Sequence, residues 1–523
     1  MAASAAKPRL TLRLEWSGEM MMRSTLLLSL LALCVPATAG EPSPVFEPAA
    51  CKFEGVPANW AKKHRVECGW LQVRESRGKP DSRTIKLWVA IARAEATDKR
   101  DDPILYINGG PGVATVDYIF PYFPKSQTWP AFRKTRDIVY FDQRGTGRSE
   151  PTFCPELDKT LEQVHQEAPP AREGLDRGKA AYAVCRPKML AQGVDLTNFN
   201  STVTVEDAED LRRALGIAQW NVYGISYGSL VGLEYLRRHP ESLRSAIEDS
   251  VFPPNSAVGA EQVGTTASAY QAVQRACALD PGCSTRFPDV LGTLRQAVER
   301  LNAAPLPRPA GGRITGDTFR DIMWMMLVRT KTVPWVPLAL ERAAAGDEAV
   351  IRKLDDLFGG IDGGFGNISQ GQSLASACYE IFGGSTTDSR SVIRQRHPYL
   401  TAQDMIASED DELCATWQPV RAPVEFHAPV RSEVPTLLYG GEFDPATPYD
   451  DAVLAAKNLS NGTLVYVKGA SHASFTLDDC TRSIAHAFLD APSKQPDLAC
   501  LAERKDTVFP TEGLMEFLAS MEG

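Results

Sequence analysis

A serine flanked by glycines lies near the middle of the chain, in the sequence GISYG at residues 224–228. A short apolar run precedes it and apolar residues at helical spacing follow it, which predicts a strand, a tight turn and a helix. In a nucleophile elbow the serine hydroxyl is exposed on a strained turn, and glycines flank it because a Cβ would collide with the neighbouring strand or helix. Ser226 is therefore the candidate nucleophile. The pattern alone is weak, because a chain with 39 glycines contains it by chance on the order of a few tenths of a time.

A nucleophilic serine needs a base and an acid, and two residues in the last part of the chain are candidates. Asp444 follows an apolar, strand-like run at 435–439, and His472 follows the next such run at 464–467. A single Asp-Pro in a loop is usually a turn, and a single histidine is usually a surface residue. Three such residues at predicted strand ends, in the order Ser226, Asp444, His472, are typical of a Ser-His-Asp triad built on a parallel sheet.

The sequence NGGPG at 108–112 follows another apolar run, at a point where backbone amides would be needed to bind the oxyanion of an acyl-transfer reaction. Pro111 has no N–H, so Gly110 is the predicted first donor. The second donor would be the residue after the nucleophile, Tyr227. Without the elbow, an ordinary glycine turn would be the preferred interpretation.

The sequence DQRGTGRS at 142–149 follows the next apolar run. We expect Asp142 and Arg144 to form an ion pair that shapes a loop beside the site, rather than to take part in catalysis. Phosphate binding is excluded because no helix N-terminus follows in the required register and no Lys-Ser or Lys-Thr pair closes the loop.

Strand-like and helical segments alternate through the first half of the chain, which favours a mostly parallel sheet. Two strand-like runs, 66–73 and 85–92, are separated by a turn-rich segment and predict an antiparallel hairpin at an edge of the sheet. After residue 252 the patterns become helical, which predicts an insertion that covers the sheet, and strand-like runs return later. We therefore predict an α/β fold divided into core (40–252), helical cap (253–427) and core (428–523).

The composition is that of a globular protein, with 43% of the 523 residues hydrophobic and 23% charged. The formal net charge is -9 and no long run of lysine or arginine occurs, so a nucleic-acid partner has no electrostatic support. No segment in the body of the chain predicts a membrane span.

The N-terminal region predicts a secretory signal in residues 1–39. Methionines at 20–22 and an arginine precede a 12-residue apolar run, 24–35, and the sequence ATA at 37–39 resembles a signal-peptidase site. The run is too short for a transmembrane helix. Translation could instead begin at one of these methionines, and the residues around Cys34 only loosely resemble a lipoprotein box.

Of the 11 cysteines, ten lie outside the predicted signal, an even number that suggests disulfide bonds in an exported protein. The simplest scheme pairs neighbours in sequence: 51 with 68, 154 with 185, 277 with 283, 378 with 414, and 480 with 500. Zinc binding is the rival interpretation. No C-x-x-C motif or tight Cys/His cluster occurs, so we predict no metal and no cofactor.

Taken together, the motifs NGGPG, DQRGTGRS, GISYGS, YGGEFDPATP and GASH resemble those of the prolyl iminopeptidase and tripeptidyl aminopeptidase family of α/β-hydrolase serine peptidases. The resemblance extends from about Cys68 to Cys500. Tyr227 and the sequence CATW at 414–417 are more similar to the secreted tripeptidyl-aminopeptidase branch. Asn108 departs from the histidine that often precedes the two glycines in iminopeptidases. The insertion also lacks the tryptophan-rich acidic helix of the iminopeptidases. The resemblance implies an α/β-hydrolase fold with a helical cap.

The predicted function is that of an exported serine exopeptidase, periplasmic or extracellular, whose substrate is a peptide with a free N-terminus. An esterase or amidase acting on small substrates with the same triad is the alternative, because the triad alone does not select the acyl group. A catalytically silent binding protein on a hydrolase scaffold is a third interpretation, against which the complete triad argues.

An exopeptidase of this kind must bind the ammonium group of its substrate, and burying this charge is costly unless a carboxylate contacts it. Two acidic segments of the predicted cap are candidates: Glu380, and the run SEDDE at 408–412. We prefer Glu380 as the substrate-binding residue. A single acid on an otherwise apolar helix has a reason to point into a site, whereas a run of acids is more often a solvated face.

Overall fold

The computed structural model describes residues 44–79, 81–120, 128–256, 258–309, 311–360, 368–382 and 409–521. The strands of these ranges are numbered here in chain order. They are β1 (Val45–Ala49), β2 (Val66–Arg74), β3 (Thr84–Ala92), β4 (Ile104–Ile107), β5 (Ile138–Phe141), β6 (Trp220–Ile225), β7 (Leu243–Asp249), β8 (Leu306–Pro307), β9 (Arg313–Ile314), β10 (Thr436–Gly441) and β11 (Gly462–Val467).

Nine of these strands form one sheet in the order β1-β2-β3-β5-β4-β6-β7-β10-β11, while β8 and β9 pair separately. Neighbouring strands from β5 to β11 are parallel, and β1, β2, β3 and β5 pair in antiparallel fashion. The strand β4 is apolar along its whole length because both faces of the sheet are covered. Leu105 and Ile107 pack into the hydrophobic cluster of one face, and Ile104 and Tyr106 into that of the other. The predicted α/β fold with a mostly parallel sheet is confirmed.

The predicted hairpin is present as β2 and β3, but it does not form the edge of the sheet. Instead β1 covers its outer side and pairs with β2. Gly69 permits this pairing, because a Cβ there would lie 2.4 Å from the ring of Phe46. The prediction of the edge was therefore wrong. The five residues of β1 include Pro48, so their pattern is too short and too irregular to indicate a strand.

Helices flank the sheet and form most of the described part of the insertion. They are α1 (Trp60–Lys63), α2 (Thr115–Ile119), α3 (Thr128–Phe132), α4 (Pro155–Glu167), α5 (Ala171–Ala191), α6 (Ser201–Ala214), α7 (Tyr227–Arg238), α8 (Val258–Leu279), α9 (Pro281–Arg286), α10 (Val290–Ala303), α11 (Gly316–Val328), α12 (Val336–Ala345), α13 (Glu348–Phe358), α14 (Gln370–Glu380), α15 (Glu409–Trp417), α16 (Tyr449–Ala456), α17 (Asp479–Asp490), α18 (Ala499–Ala502) and α19 (Leu514–Ser520).

Helices α8 to α13 share one hydrophobic cluster, which we call the cap cluster. The cluster also contains residues from far along the chain, because Leu514 and Leu518 of α19 are buried in it. Trp335 stacks on Phe517 of the same helix, with ring centroids 4.5 Å apart. The predicted domain boundaries stay predictions, and this packing adds α19 to the cap.

Helices α4 and α5 form a second helical insertion, between β5 and α6, that the sequence did not predict. They pack with α14 and α15 in a separate cluster, where the rings of Tyr182 and Trp417 are 5.2 Å apart. The apolar residues of α5 are spread around the helix among arginines and lysines, so its pattern does not indicate a buried face.

The cysteines pair as the sequence predicted. The five disulfides join 51 to 68, 154 to 185, 277 to 283, 378 to 414, and 480 to 500. The fourth of them links the cap helices α14 and α15 across a separation of 36 residues.

The predicted signal, residues 1–39, lies outside the described residues. Among the helices of the described ranges, none is long and apolar enough to cross a membrane.

Candidate active site

Ser226 occupies a sharp turn between β6, which ends at Ile225, and α7, which begins at Tyr227. Its backbone has φ 57° and ψ −126°, in the left-handed region that residues with a Cβ rarely adopt. Gly228 allows the turn to be this tight, because a Cβ there would lie 2.2 Å from the carbonyl oxygen of Ile107. The predicted strand, turn and helix are confirmed, and the serine side chain is partly exposed.

Asp444 and His472 are brought together in the loops that follow β10 and β11. His472 Nδ1 lies 2.8 Å from Asp444 Oδ2. The backbone amide of Ala446 donates to Asp444 Oδ1 at 2.9 Å, and the Thr447 hydroxyl donates to Oδ2 at 2.9 Å. The sequence reasoning missed Thr447, although a hydroxyl three residues after Asp444 can reach the same turn.

These contacts decide the charge of the acid. Burial by itself would raise the pKa of Asp444, but the charge of His472, its hydrogen bond and the backbone amides outweigh burial and hold that pKa below its ordinary value. The carboxylate therefore stays ionised at neutral pH. It fixes the imidazole with its proton on Nδ1, which leaves Nε2 able to accept a proton.

The pKa of His472, the candidate base, is shifted in the opposite direction. Burial would lower the pKa of His472, but the charge and hydrogen bond of Asp444, with a further contribution from the charge of Asp249, raise it above its ordinary value. Asp249 is a second buried carboxylate, at the end of β7. The sequence reasoning did not single it out, because only the sheet order brings β7 beside β10.

The end of β7 is attached to both the nucleophile turn and the base loop. The amide of Ser226 donates to the carbonyl oxygen of Asp249 at 3.0 Å. The next residue, Ser250, accepts a hydrogen bond at Oγ from the amide of Ala473 at 2.9 Å. The carboxylate of Asp249 accepts from the hydroxyl of Tyr223 at 3.0 Å. Neighbouring residues of one strand end thus hold the segments that carry Ser226 and His472.

The predicted oxyanion loop lies directly against Ser226, the candidate nucleophile. A Cβ at Gly109 would be 2.8 Å from the Cβ of Ser226 and 3.3 Å from its Oγ, so a side chain is not tolerated there. Gly110 has φ 118°, a conformation that favours glycine. Tyr227 is the first residue of α7, where backbone amides have no acceptor within the helix. The roles of Gly110 and Tyr227 as oxyanion donors stay predictions.

The predicted ion pair between Asp142 and Arg144 is wrong. Arg144 binds the carboxylate of Asp207 on α6 through Nε at 2.5 Å and Nη2 at 2.8 Å. Asp142 instead accepts hydrogen bonds from the amides of Val116 and Arg148, at 2.8 and 3.2 Å, and burial raises its pKa to about 7. The two side chains bind different partners, because α6, which is distant in sequence, supplies the carboxylate that Arg144 binds.

The cap contacts the loops of the site. The amide of Ser369 donates to the carbonyl oxygen of Gly112 in the oxyanion loop at 2.9 Å. The amide of Ser471, beside the base, donates to the hydroxyl of Thr330 at 2.8 Å. Phe443, beside the acid, is fully buried in the cap cluster. The cap therefore supports these loops.

Glu380 is almost completely buried, with 4% of its surface exposed. Its Oε1 accepts hydrogen bonds from the amide and the hydroxyl of Ser201, each at 2.6 Å, and its Oε2 accepts from the hydroxyl of Tyr227 at 2.8 Å. Burial raises its pKa to about 7. Its predicted role as the ligand of a substrate ammonium stays a prediction, and these three donors are contacts that the sequence did not indicate.

The competing acidic run begins outside the described residues, but its last member is described. Glu412 is partly buried and forms ion pairs with Arg172 at 2.9 Å and Lys179 at 2.7 Å, both on α5. In the described ranges no group of three or more His, Cys, Asp or Glu side chains could hold a metal ion.

Two family models match the chain. The model described as "alpha/beta hydrolase fold" matches residues 102–281, which include the oxyanion loop and the elbow. The model described as "TAP-like protein" matches residues 399–500, which include Asp444 and His472.

Several curated proteins are similar over most of the chain. A tripeptidyl aminopeptidase of Streptomyces coelicolor is 24% identical, with 82% of this chain and 81% of that protein covered. The serine protease Hip1 of Mycobacterium tuberculosis is 26% identical, with 82% and 86% covered. A protein of the same organism named carboxylesterase B is 28% identical, with 91% and 96% covered. Among solved structures, a proline iminopeptidase of Mycobacterium smegmatis is 16% identical, covers 81% of this chain and 98% of its own, and superposes with a TM-score of 0.36.

Proposed function

Because the chain belongs to the α/β-hydrolase family and is related to the tripeptidyl aminopeptidases, we propose that it is an exported serine exopeptidase that releases residues or short peptides from peptide N-termini. The observation that carries the proposal is the 2.8 Å contact of His472 Nδ1 with Asp444 Oδ2. It joins two residues that lie at the carboxyl edge of the same sheet as the strained turn of Ser226.

The chemistry follows from these groups. Ser226 Oγ attacks the substrate carbonyl carbon while His472 Nε2 takes the hydroxyl proton, and Asp444 stabilises the imidazolium that forms. The amides of Gly110 and Tyr227 stabilise the tetrahedral oxyanion. His472 then gives its proton to the leaving amine, which leaves an acyl-enzyme on Ser226. Water, activated by the same histidine, hydrolyses this ester and restores the serine.

The preference for chain ends is supported by the cap and by the relatives. The cap contacts the oxyanion loop and the loops of the acid and base, so we expect it to restrict the access of substrates to the site. Both a tripeptidyl aminopeptidase and a serine protease are among the relatives.

Export is supported by the cysteines. All ten cysteines of the described residues are paired in disulfides, which form and persist in oxidising compartments. The N-terminal pattern of residues 1–39 predicts the corresponding signal.

An esterase is the second candidate, and the carboxylesterase relative favours it. The same serine, histidine and aspartate would hydrolyse an ester, since the triad does not select the acyl group.

Two measurements test the proposal. A fluorophosphonate should label the purified protein covalently, and Ser226→Ala should abolish the labelling; an unlabelled wild-type protein would indicate a silent binding scaffold. Turnover of peptide amides with a free N-terminus should then exceed turnover of the same peptides carrying an N-terminal acetyl group. A protein that hydrolyses short-chain esters but no peptide would be the esterase.

A further inference from the structure

Helix α14 of the cap contacts both segments that would carry the oxyanion donors. At its N-terminal end the amide of Ser369 donates to Gly112, and Ile368 forms an isolated β-bridge with Val113. At its C-terminal end Glu380 accepts a hydrogen bond from the hydroxyl of Tyr227. A single helix of 11 residues is therefore fastened to the oxyanion loop at one end and to the residue after the nucleophile at the other.

Glu380 also fixes α14 to the core. Its Oε1 accepts hydrogen bonds from both the amide and the hydroxyl of Ser201, the first residue of α6. The positive end of the α6 dipole favours a carboxylate at this place. The carboxylate thus joins α6, α7 and α14. Two hydrogen bonds from Ser201 fix its Oε1, and its Oε2 contacts the Tyr227 hydroxyl.

Tyr227 connects the carboxylate of Glu380 to the peptide bond that follows Ser226. Its side chain is buried, and its hydroxyl contacts Glu380 and also Ser376, one turn earlier on α14. Its backbone amide belongs to the peptide bond that follows Ser226. Because the phenol is held at its far end, the contact with Glu380 restrains the Cα of Tyr227 and the peptide bond attached to it.

We propose that Glu380 is a positioning residue that holds Tyr227, and through it the second amide of the oxyanion hole, in the orientation that catalysis requires. The proposal rests on the Ser226 chemistry proposed above, but not on the peptide being the substrate. An oxyanion donor stabilises the transition state only if it is oriented in advance, so loosening Tyr227 lowers the rate without weakening substrate binding.

This role differs from the one expected from the sequence. Both carboxylate oxygens of Glu380 already have donors within the protein, so a substrate ammonium would have to displace Ser201 or Tyr227 to reach them. The two roles predict different dependence on the substrate. An ammonium ligand matters only for substrates with a free amine, whereas a positioning residue matters for every acyl substrate.

The test uses two conservative variants of the full chain. Glu380→Gln keeps the shape and removes the charge, and Tyr227→Phe removes the hydroxyl but keeps the backbone amide. Each should lower kcat by roughly 10- to 100-fold with little change in KM, because a displaced donor costs less than a deleted one. The double variant should be no slower than the slower single variant, since the two residues act as one unit.

Inhibition by a transition-state analogue distinguishes a positioning role from a purely structural one. A peptide aldehyde forms a tetrahedral adduct with the serine, whose oxygen occupies the oxyanion site. Its inhibition constant should rise in both variants by the factor by which kcat/KM falls, while the inhibition constant of the released product stays unchanged. Glu209→Gln is the matched control. It neutralises another buried glutamate, which lies on α6 and accepts a hydrogen bond from the hydroxyl of Tyr235 on α7, and it should leave kcat and the aldehyde constant unchanged.

The assay is run in parallel on a peptide with a free amine, its N-acetylated twin and a short-chain ester, using each substrate that the wild-type protein turns over. Equal losses on these substrates support the positioning role. Losses confined to the free amine overturn it in favour of ammonium binding, and unchanged kcat in both variants overturns it outright. If the wild type hydrolyses only the ester, the exopeptidase proposal fails while the positioning role is still tested on that ester.

Discussion

The carbonyl oxygen of Asp249 accepts a hydrogen bond from the amide of Ser226 at 3.0 Å, while its carboxylate accepts one from the amide of Phe475 at 3.3 Å. Phe475 lies three residues after His472. One residue at the end of a central strand therefore restrains the turn of the nucleophile and the loop of the base. The relative placement of these two segments depends on β7 as much as on the strands that carry the triad residues.

We expect the triad residues to act as a unit. Ser226→Ala and His472→Ala should each lower kcat by several orders of magnitude, and the double variant should be little slower than either, because neither group works without the other. Steady-state kinetics on the best available substrate measures this. His165→Gln, which alters a histidine on α4 that contacts Gly359, is the control and should be fully active. Losses that multiply in the double variant would contradict the assignment.

The pH dependence should show the raised pKa of His472. Only the neutral imidazole accepts the serine proton, so kcat/KM should fall as the pH drops through a pKa above the ordinary value of about 6.5. Asp249, whose own pKa is raised by burial to about 6, contributes to this shift. Asp249→Asn should therefore move the acid limb to lower pH.

The control for this shift is Asp176→Asn, which removes the same charge from the exposed face of α5 and should leave the acid limb in place. If the acid limb moves to higher pH in Asp249→Asn, the hydrogen bonds of Asp249, and not its charge, determine the pKa of His472.

Glu248 should make stability depend on pH. It is fully buried under the elbow, neither of its oxygens has a hydrogen-bond partner among the described residues, and burial raises its pKa well above the ordinary value. The folded state therefore keeps this proton while the unfolded state loses it near pH 4.3, so stability falls as the pH rises above that value. Each unit by which the pKa in the folded state exceeds that in the unfolded state contributes about 1.4 kcal/mol to the free energy of unfolding.

Glu248→Gln removes this contribution, so the variant should gain stability relative to the wild type at pH 8 and gain little at pH 4. Denaturant unfolding at both pH values measures the difference. Glu503→Gln, at an exposed position, should change neither. A variant that loses the same stability at both pH values would contradict the prediction.

The disulfide between Cys378 and Cys414 should affect both stability and activity. Replacing both cysteines by serine removes a link across 36 residues and should cost roughly 2–4 kcal/mol. It also frees α14, whose last residue is Glu380, so kcat should fall as well. Replacing Cys51 and Cys68, which join β2 to the segment before it, should lower the melting temperature but leave kcat unchanged at temperatures where the protein is folded. Full activity in both double variants would contradict the link between α14 and the site.

Local patterns in the sequence were enough to predict the elbow, the strand ends that carry Asp444 and His472, and the glycine-rich loop. Each of these is set by residues within a few positions of one another, as with Gly224, Ser226 and Gly228. The disulfides were predictable for the same reason, since every pair is made by successive cysteines.

Most of the contacts at the site that the sequence did not indicate join residues that are distant in sequence. Arg144 binds Asp207, 63 positions away, and Glu380 binds Ser201, 179 positions away. No periodicity or motif indicates such pairs, because the order of the strands and the docking of the cap decide them. The same holds for Asp249, whose importance depends on the neighbours that the sheet gives to β7.

The burial of α19 in the cap cluster has a consequence for how the protein is made. Leu514 follows Phe358, the last residue of α13, by 156 positions, and both are buried in that cluster. A chain synthesised from its N-terminus therefore exposes the unfinished apolar interior of its cap throughout the synthesis of the last sheet strands. Since that cap supports the loops of the site, hydrolysis would begin only after α19 has emerged and docked, which delays activity until late in biogenesis.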